Sequence, residues 1–164
     1  MKGLNVIIES VIDHIRNRSY MSGVERDRAR ILKTQEVFTP TDKVRQLLNE
    51  FTDEFKDVNQ KFMDNSCGDG QFLGEVLIRK MENGSTFEQA LSTVYGVDMM
   101  EDNVLECRRR LLCGREDLRP IVEQNIICAD ALRYHYRFDG SHPYDDEVKE
   151  QAKEELLNSL FSFK

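Results

Sequence analysis

The sequence predicts an α/β domain built on a parallel, doubly wound sheet, with a helical segment ahead of it. Three observations predict this. Residues 61–64 form a short strand that runs into the glycine turn Asn65-Ser66-Cys67-Gly68-Asp69-Gly70 and then into a helix. Residues 93–98 read as a second strand that ends in an acid, Asp98, and is again followed by a helix. Residues 125–130 read as a third strand, ending in Asp130. Strands that alternate with helices build parallel sheets, because a crossover must return the chain to the same end before it can pair in the same direction.

Taken in order, residues 1–20 carry Leu4, Ile7, Ile8, Val11, Ile12 and Ile15 at helical spacing and predict an amphipathic helix. Its apolar stripe is expected to meet core or a second copy rather than a membrane. Residues 19–23 break the pattern, and a strongly charged segment follows over 24–33. The first 33 residues are expected to form an N-terminal helical unit, with 34–164 as the main domain. Thr39 suits an N-cap, Pro40 the first helical position and Asp42 the third. A helix with Val44, Leu47, Leu48 and Phe51 inward is expected to follow, to about Phe55. A helix over 71–83 turns Phe72, Val76 and Leu77 to the core. A small helix spans 86–91, and another helix 101–112. Leu132, Tyr134, Tyr136 and Phe138 alternate with polar residues, which is the period of a short strand. Gly140-Ser141-His142-Pro143 ends it. A final helix over 145–161 puts Val148, Ala152, Leu156, Leu157 and Leu160 on one face.

Bulk composition narrows the function classes. With 164 residues, 40% hydrophobic and 32% charged, the chain can bury one real core. A net charge of −7 means that the whole molecule does not attract nucleic acid. The charge is uneven, however. Arg16, Arg18, Arg26, Arg28, Arg30 and Lys33 face only Glu25 and Asp27 in sequence, and five arginines between 107 and 119 face only Glu116 and Asp117. Residues 139–155 hold seven acids and two lysines. The basic segments read either as solvated helix faces or as phosphate contacts. The four cysteines lack C-x-x-C spacing and the three histidines complete no ligand pattern, so no metal is expected. Reduced thiols in a cytoplasmic protein are expected. There is no signal peptide and no apolar run near the roughly 20 residues of a membrane span, so no membrane association is expected.

Function is carried by three signals in order, each at the carboxyl end of a predicted strand, where open α/β sheets bind ligands. Asp64 is followed by Gly68 and Gly70, whose backbone permits close approach, and by a helix N-terminus suited to a carboxylate. Asp98 is placed to accept both hydroxyls of a ribose, and Asp130 to accept from an exocyclic amine of adenine. Together they describe a nucleoside with an amino-acid tail.

Residue by residue, the chain resembles the DNA adenine-N6 methyltransferases whose cofactor-binding half comes first. Phe38-Thr39-Pro40 through Val44 resembles their opening Thr-Pro element. Asp64-Asn65-Ser66-Cys67-Gly68-Asp69-Gly70-Gln71-Phe72-Leu73 resembles their glycine motif. Tyr95-Gly96-Val97-Asp98 resembles the ribose element and Cys128-Ala129-Asp130-Ala131-Leu132 the adenine element. The likeness covers about residues 34–138 and is nearest to small methylase-like proteins of bacteriophages and restriction–modification systems. It implies a Rossmann-like class I methyltransferase fold with a truncated parallel sheet flanked by helices, S-adenosyl-L-methionine as cofactor, DNA as partner, and a bacterial cytoplasm as location. It also implies roles. Thr39, with Phe38 and Pro40, would meet the methionine end. Ser66, Cys67, Gly68, Gly70 and Phe72 would shape the carboxylate site, and Asp64 would reach the amino group. Asp98 would take the ribose, Met99 would cover adenine, and Asp130 with Ala131 would hold its edge.

Two positions depart from the motif: Asn65 stands for a proline, and Asp69 for a small residue, adding a negative charge beside the carboxylate site. The family's catalytic element, (Asn/Asp/Ser)-Pro-Pro-(Tyr/Phe), has no intact copy. Ser141-His142-Pro143-Tyr144 is its nearest counterpart, and lacks the first proline and the apolar strand ahead of it. A plain proline turn is the competing reading of Ser141, Pro143 and Tyr144. Only 20 residues follow Tyr144, too few for a DNA-reading domain. With three or four strands in place of seven, the first strand is expected to lack a neighbour on one side. Closure by the tail, a homodimer or a partner subunit would complete the sheet. Two functions follow: a compact or partner-dependent methyltransferase, or a catalytically silent methyltransferase-like protein that binds cofactor or a partner and modulates host modification and restriction.

Overall fold

The computed structural model describes residues 2–17 and 39–161. It is an α/β fold in which a three-stranded parallel sheet is flanked by helices. The elements are α1 (Lys2–Arg16), α2 (Thr41–Leu48), β1 (Phe62–Asp64), α3 (Gln71–Glu82), α4 (Phe87–Leu91), β2 (Val94–Asp98), α5 (Glu101–Leu112), a 3-10 turn (Glu116–Leu118), α6 (Arg119–Asn125), β3 (Ile126–Cys128) and α7 (Asp145–Phe161). Sheet order is β1-β2-β3, with Asp64 beside Gly96 and Asp98 beside Cys128. The three carboxyl ends therefore open on one rim.

Strand alternation gives the sheet two different faces. Phe62, Val94 and Ile126 join the main core with Leu73, Val76, Leu77, Leu111 and Val122. Helix α1 belongs to this same core: Val11 and Ile15 are buried, and a Cβ on Gly74 of α3 would stand 2.7 Å from Ile15. Full burial of such side chains is worth about 1.5–3 kcal/mol each. The bidentate pair of Arg16 with buried Glu75, at 2.7 and 2.8 Å, ties α1 to α3. Lys80 is buried too. Its ammonium donates to the carbonyls of Asp57, Val58 and Gln60, and so fixes the chain as it enters β1.

Val97 and Ile127 point to the opposite face, where Tyr134, Tyr136 and Phe138 pack on them. The expected strand over 132–138 is absent. Tyr136 and Phe138 take positive φ (53° and 49°), which no strand tolerates. Three hydrogen bonds hold this geometry: Phe138 N–H to the Tyr134 hydroxyl, the Tyr136 hydroxyl to the Ala131 carbonyl, and the Gln124 amide to the Phe138 carbonyl. Alternation here comes from aromatic rings closing over a sheet face, and Leu132 is left 96% exposed.

Helix α2 is shorter than its sequence suggests. It starts at Thr41 with Pro40 as the flanking residue, so Thr39 is not its N-cap. It ends at Leu48 because Arg79 takes the Arg45 carbonyl and the Asn49 side chain, both at 2.7 Å. Val44 and Leu48 are buried, whereas Leu47 and Phe51 are exposed and Phe55 takes the inward place. Helix α6 has no counterpart among the elements expected from sequence; Pro120 opens it and only Val122 and Asn125 bury. No helix among the described residues is long and apolar enough to cross a membrane.

Candidate functional site

A cavity of about 290 Å³ opens on the rim, between the Thr39 end of α2, the glycine turn and the end of β2. It brings together Thr39, Asp64, Ser66, Cys67, Gly68, Asp69, Phe72 and Asp98, all singled out from sequence, with Val44, Leu47, Gln71 and Asn103. Phe38 lies outside the described residues, as do Arg18, Arg26, Arg28, Arg30 and Lys33.

The turn is shaped by its glycines and by one acid. Gly68 (φ 51°) and Gly70 (φ 86°) lie in the left-handed region. Gly70 ends the turn against α5, where an added Cβ would stand 2.7 Å from the Cys107 sulfur. Gly96 allows β2 to pass under the turn; a Cβ there would reach Leu73 at 2.8 Å and Cys67 at 2.9 Å. The Asp64 carboxylate accepts from Ser66 N–H at 3.0 Å, which fixes the turn in place of the missing proline. Helix α3 then starts with no side-chain cap, so the N–H groups of Gln71, Phe72 and Leu73 lack intrahelical acceptors. Gln71 and Phe72 border the cavity. Thr41 donates to the Gln71 side chain at 3.2 Å, joining α2 to that helix start.

Asp69 borders the cavity, and its charge is paired. It is fully buried and makes two bonds to buried Arg110 of α5, at 3.0 and 3.2 Å. The acid that departs from the motif thus anchors the turn to α5. Its partner is 41 residues away, so no local signal could reveal the pair.

Asp98 is engaged with the protein. Its Oδ2 accepts from Gly68 N–H at 2.9 Å, and its Oδ1 from Met100 N–H at 2.9 Å and the Asn103 side chain at 3.1 Å. A carboxylate oxygen accepts about two hydrogen bonds. Oδ1 is therefore filled, and Oδ2 retains one position among the described residues. Asn103, buried on the first turn of α5, is the site residue that sequence reasoning missed. It shares the core side of α5 with two other buried polar residues, Glu106 and Arg110, so no local pattern marks it out.

Two groups shift in ways that bear on chemistry. Burial raises the Asp64 pKa above its ordinary value, and Asp98 adds to it, while the Ser66 N–H opposes. The folded state therefore holds a proton there to higher pH than the unfolded chain. This contribution to stability is complete at low pH and is lost as pH rises through the raised value. At neutral pH the half-buried carboxylate is stabilised by any cation brought beside it. The Cys107 thiol and burial hold Cys67 well above the ordinary thiol range, which keeps the thiol protonated at neutral pH.

Met99, Asp130 and Ala131 stand along the same rim but outside the cavity. Met99 is 70% exposed at the end of β2. Asp130 accepts from Leu132 N–H at 2.9 Å through Oδ1, and its Oδ2 accepts nothing among the described residues. Ala131 packs beside the aromatic cluster. Residues Ser141, Pro143 and Tyr144 fall at this β3 side, away from the glycine turn. The Tyr144 hydroxyl accepts from Asp130 N–H at 2.6 Å and its ring lies under Arg133. Ser141 donates to Asp139 at 2.5 Å. No strand precedes these residues: the segment between β3 and α7 is turn and coil.

Among the described residues, no group of three or more histidine, cysteine or acidic side chains could hold a metal ion. The chain matches no protein-family model, and no curated protein or solved structure is significantly similar to it.

Proposed function

We propose that the chain binds S-adenosyl-L-methionine and is the cofactor-binding half of a DNA adenine-N6 methyltransferase, with acceptor activation left to a partner subunit. One observation carries the reading. An uncapped helix start, a carboxylate raised by burial and a ribose-competent carboxylate converge on one cavity at the carboxyl ends of a parallel sheet.

The residues fit the group in parts. The α3 N–H groups suit its carboxylate, and Asp64 suits its ammonium, which would offset the burial of that acid. The free position on Asp98 Oδ2 suits one ribose hydroxyl. At about 290 Å³ the cavity is at the lower end of the roughly 300–1,000 Å³ usual for ligand pockets. It would enclose the methionine and ribose ends, leaving adenine on the open rim between Met99 and Asp130. What the cofactor supplies when bound is an electrophilic methyl group. The chain's own residues bind and orient it and exclude water from its charged end.

A second reading is favoured by the position of Tyr144. Its hydroxyl is already bonded at β3 and no strand leads into Ser141-His142-Pro143-Tyr144, which suits a catalytically silent, methyltransferase-like protein acting on host modification and restriction. Titration calorimetry with S-adenosyl-L-methionine separates these from an empty pocket. Wild type should bind, with proton release if Asp64 is partly protonated at the working pH. Asp98→Asn should weaken binding at least ten-fold, since a charge-assisted bond to the ribose is worth about 1.5–3 kcal/mol. Transfer of labelled methyl groups to unmodified DNA then divides the two readings. The chain alone is expected to be inactive. Activity abolished by Tyr144→Ala would restore 141–144 as a catalytic element.

A further inference from the structure

A second concavity, of about 420 Å³, lies between the end of α2, the segment 51–56 and the end of α3. Four cations line it, Arg16, Arg45, Lys56 and Arg79, against one carboxylate, Glu82. Arg16 is committed to Glu75. Arg45 and Arg79 have no carboxylate partner among the described residues, and Lys56 meets Asp53 only in an exposed pair of the kind that contributes little. Burial lowers the Arg79 pKa, Glu75 and Glu82 oppose this, and Arg45 and Arg16 add to it more weakly. The lining thus carries more cations than acids although the whole chain is acidic. At physiological salt the field beyond about 8 Å is screened, so the local surplus decides what binds.

Capping of α2 accounts for the head of Arg79, but not for the exposed Arg45 guanidinium or for Phe51. That ring is 42% exposed on the lip of the pocket, while Phe55 beneath it is buried and stacked on Phe62 at 4.9 Å. An exposed aromatic face among cations takes a base and its phosphates together, which an acidic peptide does not exploit. A duplex keeps its base faces stacked inside, so the exposed ring favours a single strand.

We propose that this pocket binds single-stranded nucleic acid, with phosphodiester groups on Arg45 and Lys56 and a base stacked on Phe51. The site is separate from the glycine-turn cavity, and helix α2 divides them, with Val44 and Leu47 on one side and Arg45 and Asn49 on the other. The inference needs no bound cofactor and stands if the cofactor reading fails.

Fluorescence anisotropy with a labelled, mixed-sequence single-stranded DNA oligonucleotide and the full chain tests it. Wild type should bind at low salt, with affinity falling as salt rises. Arg45→Glu with Lys56→Glu should lower affinity at least ten-fold and flatten the log–log salt slope by about 0.7 for each phosphate no longer neutralised. Phe51→Ala should lower it by roughly five-fold or more while leaving that slope in place. Melting temperatures near wild type would show that the variants are folded, since all three side chains are exposed. Absence of binding at low salt, or unchanged affinity in the double variant, overturns the proposal. So does a polyglutamate peptide that binds as tightly as the oligonucleotide and ignores Phe51→Ala, which would assign the pocket to an acidic protein.

Discussion

Arg110→Ala should cost the fold about 3–5 kcal/mol, the usual penalty for removing one partner of a buried ion pair. Arg110 and Asp69 are both fully buried, and their two parallel bonds, at 3.0 and 3.2 Å, join α5 to the glycine turn. Without the guanidinium, the Asp69 carboxylate is left desolvated under the cavity. A chain of this length should then melt roughly 6–20 °C lower. The pair is not an optimal solution for stability, because the Arg110 Nε is itself buried with no partner among the described residues. Asp69→Ala with Arg110→Met should therefore recover much of the loss, since neither charge remains to be buried. Thermal unfolding followed by circular dichroism gives both numbers. A double variant no more stable than Arg110→Ala would show that the arginine acts through packing, not through its charge.

Gly70→Ala should cost about 2–5 kcal/mol for two separable reasons. The residue holds φ at 86°, where an L side chain is strained by about 1–2 kcal/mol. Its Cβ would also stand 2.7 Å from the Cys107 sulfur and 3.3 Å from the Cys107 Cα, an overpacking of about 1–3 kcal/mol. Adding Cys107→Ala removes the sulfur but neither the backbone contact nor the strained φ. Denaturant unfolding should thus show partial rescue in Gly70→Ala/Cys107→Ala. Complete rescue would mean that the strain at φ is negligible, and no rescue that the sulfur contact is. Because Gly70 sets the start of α3, the single variant should also lose ligand affinity out of proportion to its stability.

What is legible in the sequence is what local chemistry dictates. The α5 boundaries, Glu101 to Leu112, follow from an apolar stripe between an acid-rich first turn and the Cys113-Gly114 break. Thr86 and Gln89 form a reciprocal capping box that starts α4 where the sequence places it. The glycine turn and the acids at strand ends are likewise local, and so Asp64, Gly68 and Asp98 meet at one cavity. The misreadings arise where tertiary contact overrides local pattern. Tyr134, Tyr136 and Phe138 have a strand's period but serve as a lid on the Val97–Ile127 face. Phe51 has a helix's period, yet α2 is stopped three residues earlier by an arginine from α3. Asn103 gives no local signal, yet its side chain reaches Asp98 beside Gly68 and Met100.

The sheet edge bears on how a partner would be engaged. Among the described residues β1 pairs only with β2. The segment after β3 does not close this edge. It is held at the far side through Arg133 with Glu147, Arg137 with Asp146 at 3.2 Å, and Tyr144 with Asp130. An open edge of this kind invites pairing by another chain, which is consistent with the proposed need for a partner subunit.

The central claim is that the glycine-turn cavity takes S-adenosyl-L-methionine. Amide resonances of the isotope-labelled chain, followed by NMR while the cofactor is added, test it most directly because they report position as well as binding. Saturable shifts are expected at Gly68, Gly70, Gln71 and Phe72, at Met100 beside Asp98, and at Leu132 beside Asp130, with Val122 and Asn125 of α6 unmoved. No shifts at millimolar cofactor, or saturable shifts confined to residues away from the glycine turn, would contradict it.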